Sequence, residues 1–598
     1  MKTTICKLLL IVNLVPFTAL AQTNIEAQIK RVEQGLLPPV LIKGDTSWSI
    51  EDRMKHWKVP GLSVAVVKDF KLEWARSYGV KDIDTKEPVT TETLFQAGSI
   101  SKPVAAMVAL KRVQDGKISL EENINNKLQT WKLPDNEFTA TKKVTLANLL
   151  SHTAGLTVHG FPGYATGEKI PTLSQVLDGT APANTVAVRV NMEPGTRFRY
   201  SGGGTTIAQL AIMDIEKKPY PQIAKETVLG PLKMTNSTYS QPLPDDWLKK
   251  AASGHRGDGS LVAGKIHVYP EMAAAGLWTT PTDLARFAIE VQLSYAGRSN
   301  KILTKELTEK MVTPFMEDVG LGFFIDKRGN AVYFGHDGAD EGFRAMLLMN
   351  REKGYGAVIM VNSDNGQIMP EVMRGIAREY NWDEFLPPVT EIISLEAAKL
   401  DEYTGRFRVN PDRVLTIARD GGKLFATPTA DVKFELLPVA DGTFVRRDQG
   451  VKYTFVKSDT GITGLLLSFA RGAPVTAPKV SAETLIPFEH LTAGNISKAI
   501  EAYREIKKAT PANTAVSEGR LNSLGYGFLR SKKLPEAIAY FKLNVEFYPN
   551  SWNVYDSLGE AYMASGKKEL AVANYKKSLE LNPKNTKGAE TLKKLEAQ

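Results

Sequence analysis

Gly98-Ser99-Ile100-Ser101-Lys102 is the stretch on which the reading of this chain turns. It follows the apolar, strand-like Leu94-Phe95-Gln96-Ala97 and leads into Val104-Ala105-Ala106-Met107-Val108-Ala109-Leu110, which reads as a buried helix. A serine at the mouth of a helix sits at the positive end of the peptide dipoles, which favours negative charge on its oxygen. Lys102 lies three residues on, so the two side chains share one helical face. Burial weakens a lysine's hold on its proton, and such an amine can take a proton from a neighbouring hydroxyl. The pair is the pattern of an activated nucleophile. Pro103 is tolerated because it falls in the first turn, where no intrahelical N–H is needed. Four-residue patterns recur by chance, so the meaning of S-x-x-K depends on what accompanies it.

The 598 residues suggest three or four domains and ample chain for a core. Residues 1–21 read as a secretory signal. Lys2 and Lys7 make a basic start, Leu8 to Leu20 is mostly apolar, and Ala19-Leu20-Ala21 supplies small residues before a cut ahead of Gln22. The run is short for a membrane span and is broken by Asn13 and Pro16, and no later segment is apolar enough to span a bilayer. Cys6, the one cysteine, lies inside that signal, which leaves the mature chain without disulfide or thiol chemistry. The net charge of +9 is mild and interspersed with acids, so no nucleic-acid footprint is expected. The seven histidines form no H-x-H or H-E-x-x-H pattern, and the chemistry is expected to need neither metal nor cofactor.

Residues 22–45 read as a loose lead-in, and 46–388 as the domain that carries Ser99. Within it, Gly61 to Val67 and Leu72 to Ala75 suggest a hairpin. Helices are expected over Thr205–Ile215 and Leu277–Val291, the latter capped by Thr282. From Gly320 to Asn362 the pattern turns to strands, so both ends of the domain should build one sheet with a helical insertion beside it. Short alternating segments over 391–490 read as a small antiparallel β-domain in a supporting or lid role. The tail, 493–598, repeats at a spacing of 34: Leu524-Gly525 recurs as Leu558-Gly559, Ala537 as Ala571, Phe541 as Tyr575, and Pro549 as Pro583. That spacing resembles tetratricopeptide repeats. Two and a half units are few for independent stability, so the tail should dock on the preceding domain and offers a surface for a protein partner.

Two further segments keep Ser99 company. Arg199-Tyr200-Ser201-Gly202-Gly203-Gly204 places a tyrosine in a glycine-rich turn before a helix, where a phenol near an ammonium can shuttle a proton. Gly335-His336-Asp337-Gly338-Ala339 ends a strand at which backbone could approach a ligand. The order Ser99-Ile100-Ser101-Lys102, Tyr200-Ser201-Gly202, His336-Asp337-Gly338 resembles the serine β-lactamase and penicillin-binding-protein superfamily. Within it, the class C-related esterases and D-amino-acid peptidases are the branch most alike. Leu149-Leu150-Ser151-His152-Thr153-Ala154-Gly155-Leu156 and Ala275 to Phe287 extend the likeness over residues 46–385. The resemblance implies an α/β (α+β) domain with an antiparallel sheet and a helical subdomain. It implies Ser99 as nucleophile, Lys102 as keeper of the charge states, and Tyr200 as proton relay. The N–H groups of Ser99 and Ala339 would form the oxyanion hole. His336 would stand where the family has a lysine, orienting Tyr200 or touching substrate, with Gly202, Asp337, Gly338 and Arg344 beside the substrate. His152 is expected to be structural.

The departures set the substrate expectation. The second motif of the family usually ends in asparagine, and here it is Gly202; the third usually reads Lys-Thr/Ser-Gly, and here it is His-Asp-Gly. Asp337 would repel the carboxylate that penicillins and D-Ala-D-Ala peptides carry, unless Arg197, Arg199 or Arg344 compensates. The expected function is an exported serine hydrolase, periplasmic or secreted, acting on an ester, an amide or a short peptide with a free D-amino terminus. The alternatives are a carboxylate-dependent β-lactamase or D,D-peptidase, and a non-catalytic binding or sensor protein working through the repeats. An α/β-hydrolase is excluded because the chain has no G-x-S-x-G elbow.

Overall fold

The computed structural model describes residues 17–469, 473–583 and 585–597, so most of the expected export signal lies outside the described residues. The chain forms two compact units: residues up to 37 with 46–387, and 38–45 with 388–598.

The first unit is built on a six-stranded antiparallel sheet. Its strands are β1 (Gly61–Lys68), β2 (Lys71–Gly79), β3 (Phe324–Arg328), β4 (Ala331–Asp340), β5 (Phe343–Asn350) and β6 (Gly356–Val361). The order β2-β1-β6-β5-β4-β3 places the late strands beside the early hairpin, with Ala65 opposite Val358, as the two blocks of strand pattern imply. The central strand β6 is apolar throughout, and β1 nearly so, because both faces are covered. Along β1 and β6 alternate residues enter two cores. Ala65, Val67, Val358 and Met360 face the large helical core, while Leu62, Val64, Val66, Ile359 and Val361 face the other.

Five longer helices flank this sheet or carry the motifs: α1 (Phe17–Glu33), α2 (Ser101–Gln114), α3 (Gly202–Glu216), α4 (Pro281–Tyr295) and α5 (Ile368–Glu379). Two expectations need correcting. The lead-in is not loose: α1 runs through the expected cleavage point, and its Ile29 and Val32 pack in the same core as Ile368, Val372 and Ile376 of α5. The helix expected from Leu277 begins only at Pro281, and its cap is Thr280, whose hydroxyl accepts the Asp283 N–H, in place of Thr282. Trp278 and Thr279 instead pair with Phe95 and Gln96, so that apolar run is a short strand beside the Ser99 turn.

In the second unit, eight strands from Gly405–Asn410 to Val475–Val480 close into a barrel, sharpening the expected small β-domain. Phe407, Leu415, Ile417, Leu424, Phe444, Phe455 and Leu465 fill it. After it the described residues form six α-helices between Ile496 and Ala597. The 34-residue spacing has a packing cause: Gly525 and Gly559 lie under the rings of Phe541 and Tyr575, where a Cβ would come within 2.6 and 3.2 Å. The helix Pro487–Thr492 and the repeats dock on the barrel. Asp412 accepts the Phe488 N–H at 3.1 Å and faces Arg520 at 3.6 Å, and Arg406 pairs with Glu489 at 2.5 Å.

Candidate active site

Ser99 is set by backbone. Ala97 N–H donates to Leu277 O at 2.9 Å, and a 3-10 turn, Gly98–Ile100, then delivers Ser99 to the start of α2. Ser101, fully buried, latches that turn: its hydroxyl donates to Gly98 O at 2.6 Å and accepts the Leu277 N–H at 3.0 Å. Gly98 has φ +51°, and a Cβ there would lie 2.5 Å from Ala339 N. A Cβ on Gly338 would lie 2.0 Å from Ala97 O. Glycine at both places lets the Ser99 turn and β4 touch through backbone. The pairing of β3 with β4 ends at Phe324–Gly335, which leaves residues 336–340 of β4 free of that strand where they meet the turn.

Lys102 is 4% exposed, and its Nζ donates to Ser99 Oγ at 2.9 Å and to Ala274 O at 2.7 Å. The same Nζ lies 5.1 Å from the centroid of the Tyr200 ring. Tyr200 stands one residue ahead of the α3 N-cap. Ser201 Oγ accepts the Gly204 N–H and donates to Thr157 O at 2.7 Å, tying the start of α3 to the loop after residue 156. Side chains from two motifs far apart in the chain thus meet at the Lys102 ammonium, beside Ser99, which remains half-buried.

His336 is buried, with its ring 6.2 Å from that of Tyr200 and 5.1 Å from that of Phe324. Its Nδ1 donates to the Asp337 carbonyl at 2.6 Å, which leaves Nε2 as a buried acceptor. Burial, then the charge of Lys102, pushes its pKa down to about 3, so it is a neutral imidazole and no substitute for a lysine cation. Asp337 and Ala339 have exposed side chains on the opposite face of β4 from His336, Gly338 and Asp340. Arg344, expected beside the substrate, is engaged elsewhere: its Nη1 is held by Asp340 O and Phe343 O at 2.7 Å each and by Asp364 at 3.0 Å. Gly202 is explained by packing. A Cβ there would meet Phe161 Cε2 at 3.0 Å and His159 O at 3.2 Å, so the loop 159–161 fills the space that a longer side chain would need.

Several residues around the site escape a reading of the sequence. The Tyr200 ring is flanked by His152 at 4.2 Å, His159 at 4.7 Å and Phe324 at 6.2 Å. Glu271, at the start of the short helix Met272–Ala275 whose Ala274 holds Lys102, is fully buried with no hydrogen-bond partner for its carboxyl oxygens among the described residues. Burial raises its pKa to about 8. Asp340, two residues beyond Gly338, is likewise raised to about 8 by burial, against the opposing pull of Lys102 and Arg344. Strand alternation from His336 could have flagged Asp340; nothing in the local sequence marks Glu271. A cavity of about 390 Å³ lies elsewhere, walled by Leu243, Leu248, Ile266 and Trp278, and neither Ser99 nor Lys102 lines it. Among the described residues no group of three or more potential metal ligands comes together, and no helix is long and apolar enough to cross a membrane.

A beta-lactamase family profile matches residues 49–378, and a tetratricopeptide repeat profile matches 552–585. Protein flp of Staphylococcus aureus (strain N315) is 25% identical over 336 residues, covering 54% of this chain and 64% of its own length. The uncharacterized protein MT1414 of Mycobacterium tuberculosis is 30% identical over 240 residues, 36% of this chain and 58% of that protein. The chain therefore spans less than two thirds of the length of these relatives. Among solved structures, the octameric penicillin-binding protein homologue from Pyrococcus abyssi aligns with a TM-score of 0.47 and 21% identity, over 72% of this chain and 98% of that one. The first profile takes in more than half of the chain and contains Ser99, Lys102, Tyr200 and His336, so the chain belongs to the beta-lactamase family of serine hydrolases.

Proposed function

We propose that the protein cleaves an ester or amide bond through an acyl-enzyme on Ser99. The observation that carries this reading is the Lys102 Nζ to Ser99 Oγ contact of 2.9 Å, made by a buried amine that Ala274 O also fixes. As Ser99 Oγ attacks the carbonyl carbon, its proton passes to the oxygen of Tyr200 acting as the phenolate, while the Lys102 charge favours that phenolate and the oxyanion formed on the way. The tetrahedral oxygen is held by the N–H groups of Ser99 and Ala339, the latter from the stretch of β4 that abuts Gly98. Collapse breaks the bond to the alcohol or amine, which leaves with the proton from Tyr200. Water then loses a proton to Tyr200, attacks the acyl carbon, and frees the acid as Ser99 recovers its proton.

The substrate side favours a neutral ester or amide, or one bearing a free amino group. His336 is a neutral imidazole where the family has a cation, Asp337 follows it, and the Arg344 guanidinium is engaged by Asp340, Phe343 and Asp364. Nothing in that row attracts a carboxylate. The basic, apolar start of the chain supports export, and the repeats support a protein partner at 493–598. Ser99→Ala is expected to bring hydrolysis of a p-nitrophenyl ester to background, a loss of at least about 10³-fold, and to abolish fluorophosphonate labelling. Activity surviving in Ser99→Ala would overturn the assignment.

A further inference from the structure

His152 does more than close a helix. It grips three consecutive residues of the second motif in three different ways. Its carbonyl accepts the Arg199 N–H at 2.8 Å, its ring lies 4.2 Å from that of Tyr200 at a tilt of 32°, and its Nδ1 accepts the Ser201 N–H at 3.2 Å. The residue itself is pinned on both sides. Ser151 Oγ donates to Ala147 O at 2.7 Å, Asn148 Nδ2 donates to Thr153 Oγ1 at 3.1 Å, and Thr153 O accepts the Gly195 N–H at 2.7 Å. Ser151 and Thr153 are fully buried and His152 is 5% exposed, so the grip is made by a rigid, dry pedestal. Its backbone is left-handed at φ +58°, a region that few non-glycine residues enter and in which histidine is one of the better tolerated.

We infer that His152 is a positioning residue for Tyr200, fixing the depth and direction of the phenol through the Nδ1–Ser201 hydrogen bond and the ring contact. The inference rests on the proposed reading of Tyr200 as the proton relay. The tautomer follows from the bond: an N–H donating to Nδ1 puts the imidazole proton on Nε2. A protonated ring would carry hydrogen on both nitrogens and lose the acceptor. Burial, and then the charge of Lys102, hold the imidazole well below the usual histidine range, so the acceptor is present throughout the neutral range. Misplacing a reacting group by about 1 Å can cost about 10²-fold in rate, which is the scale at stake here.

The test compares two amides that differ in reach. In His152→Asn the carboxamide oxygen falls at the depth of Nδ1, and asparagine tolerates left-handed backbone. In His152→Gln the acceptor lies one methylene too far. With a p-nitrophenyl ester, His152→Asn is expected to keep kcat within about fivefold of wild type, and His152→Gln to lose about 30-fold or more, each with KM within about threefold. Melting temperatures of the two variants should be similar. Equal kcat in Asn and Gln variants, or loss confined to KM or to the melting temperature, would overturn the inference. Should His152→Gln fail to fold, His152→Phe, which keeps a ring and removes the acceptor, replaces it with the same expectation. Fluorophosphonate labelling of wild-type Ser99 separates the two levels: without it the acyl-enzyme reading fails, and with it only the positioning role is in question.

Discussion

The surroundings of Ser99 and the second unit bury polar groups to different ends. In the first, Lys102, His152, His336, Glu271 and Asp340 are all buried around one hydroxyl, and among the described residues no ion pair joins Lys102 to either acid. In the second, buried polar groups pair off between elements. Asp412 meets Phe488 and Arg520, the Tyr540 hydroxyl donates to Tyr503 at 3.1 Å, and Arg406 caps the Thr484 carbonyl at 2.7 Å while pairing with Glu489. The first arrangement leaves buried acid and base groups unpaired beside Ser99, and the second holds a barrel and a helical stack together. Burial of charge marks chemistry only where the partners are missing.

That contrast can be broken at either end. Tyr200→Phe removes the relay without changing the ring stack, and kcat for ester hydrolysis should fall about 10²–10³-fold with an unchanged melting temperature. Wild-type rates in that variant would take Tyr200 out of the mechanism. Glu271→Gln probes the buried acid directly. In the fold Glu271 stays neutral until about pH 8, whereas the unfolded chain ionises it near its ordinary 4.5. Stability of the wild type should therefore decline as pH rises from about 4.5 to 8, and Glu271→Gln should gain on the order of 4 kcal/mol relative to it across that window. Parallel curves of unfolding free energy against pH would show that Glu271 ionises in the fold. In the second unit, Gly525→Ala forces a Cβ into the Phe541 ring at 2.6 Å and should destabilise the repeats by about 1–3 kcal/mol, with kcat untouched. A fall in kcat there would mean that the repeats take part in turnover.

Much of this is legible in the sequence because it is local or periodic. The S-x-x-K spacing fixes a helical face, the two blocks of strand pattern fix one sheet, and the 34-residue repeat fixes a small-on-aromatic stack. What is not legible depends on tertiary neighbours. Glu271 looks like any surface glutamate until the chain between α3 and α4 buries it. His152 and His159 lie seven residues apart and read as unrelated, yet both rings flank Tyr200. The apolar run from Leu277 reads as the start of a helix, and only its pairing with Phe95–Gln96 makes Trp278–Thr279 a strand. Helix α1 is hidden because its first residues resemble the end of an export signal.

The central claim is that a covalent intermediate forms on Ser99. Brief exposure of the wild type to a slowly deacylating p-nitrophenyl ester, followed by acid quench and peptide mapping by mass spectrometry, reads it directly. The account predicts the acyl mass on the peptide that contains Gly98-Ser99-Ile100-Ser101-Lys102, at Ser99. A burst of nitrophenol with no acyl adduct, or an adduct on another residue, would contradict it.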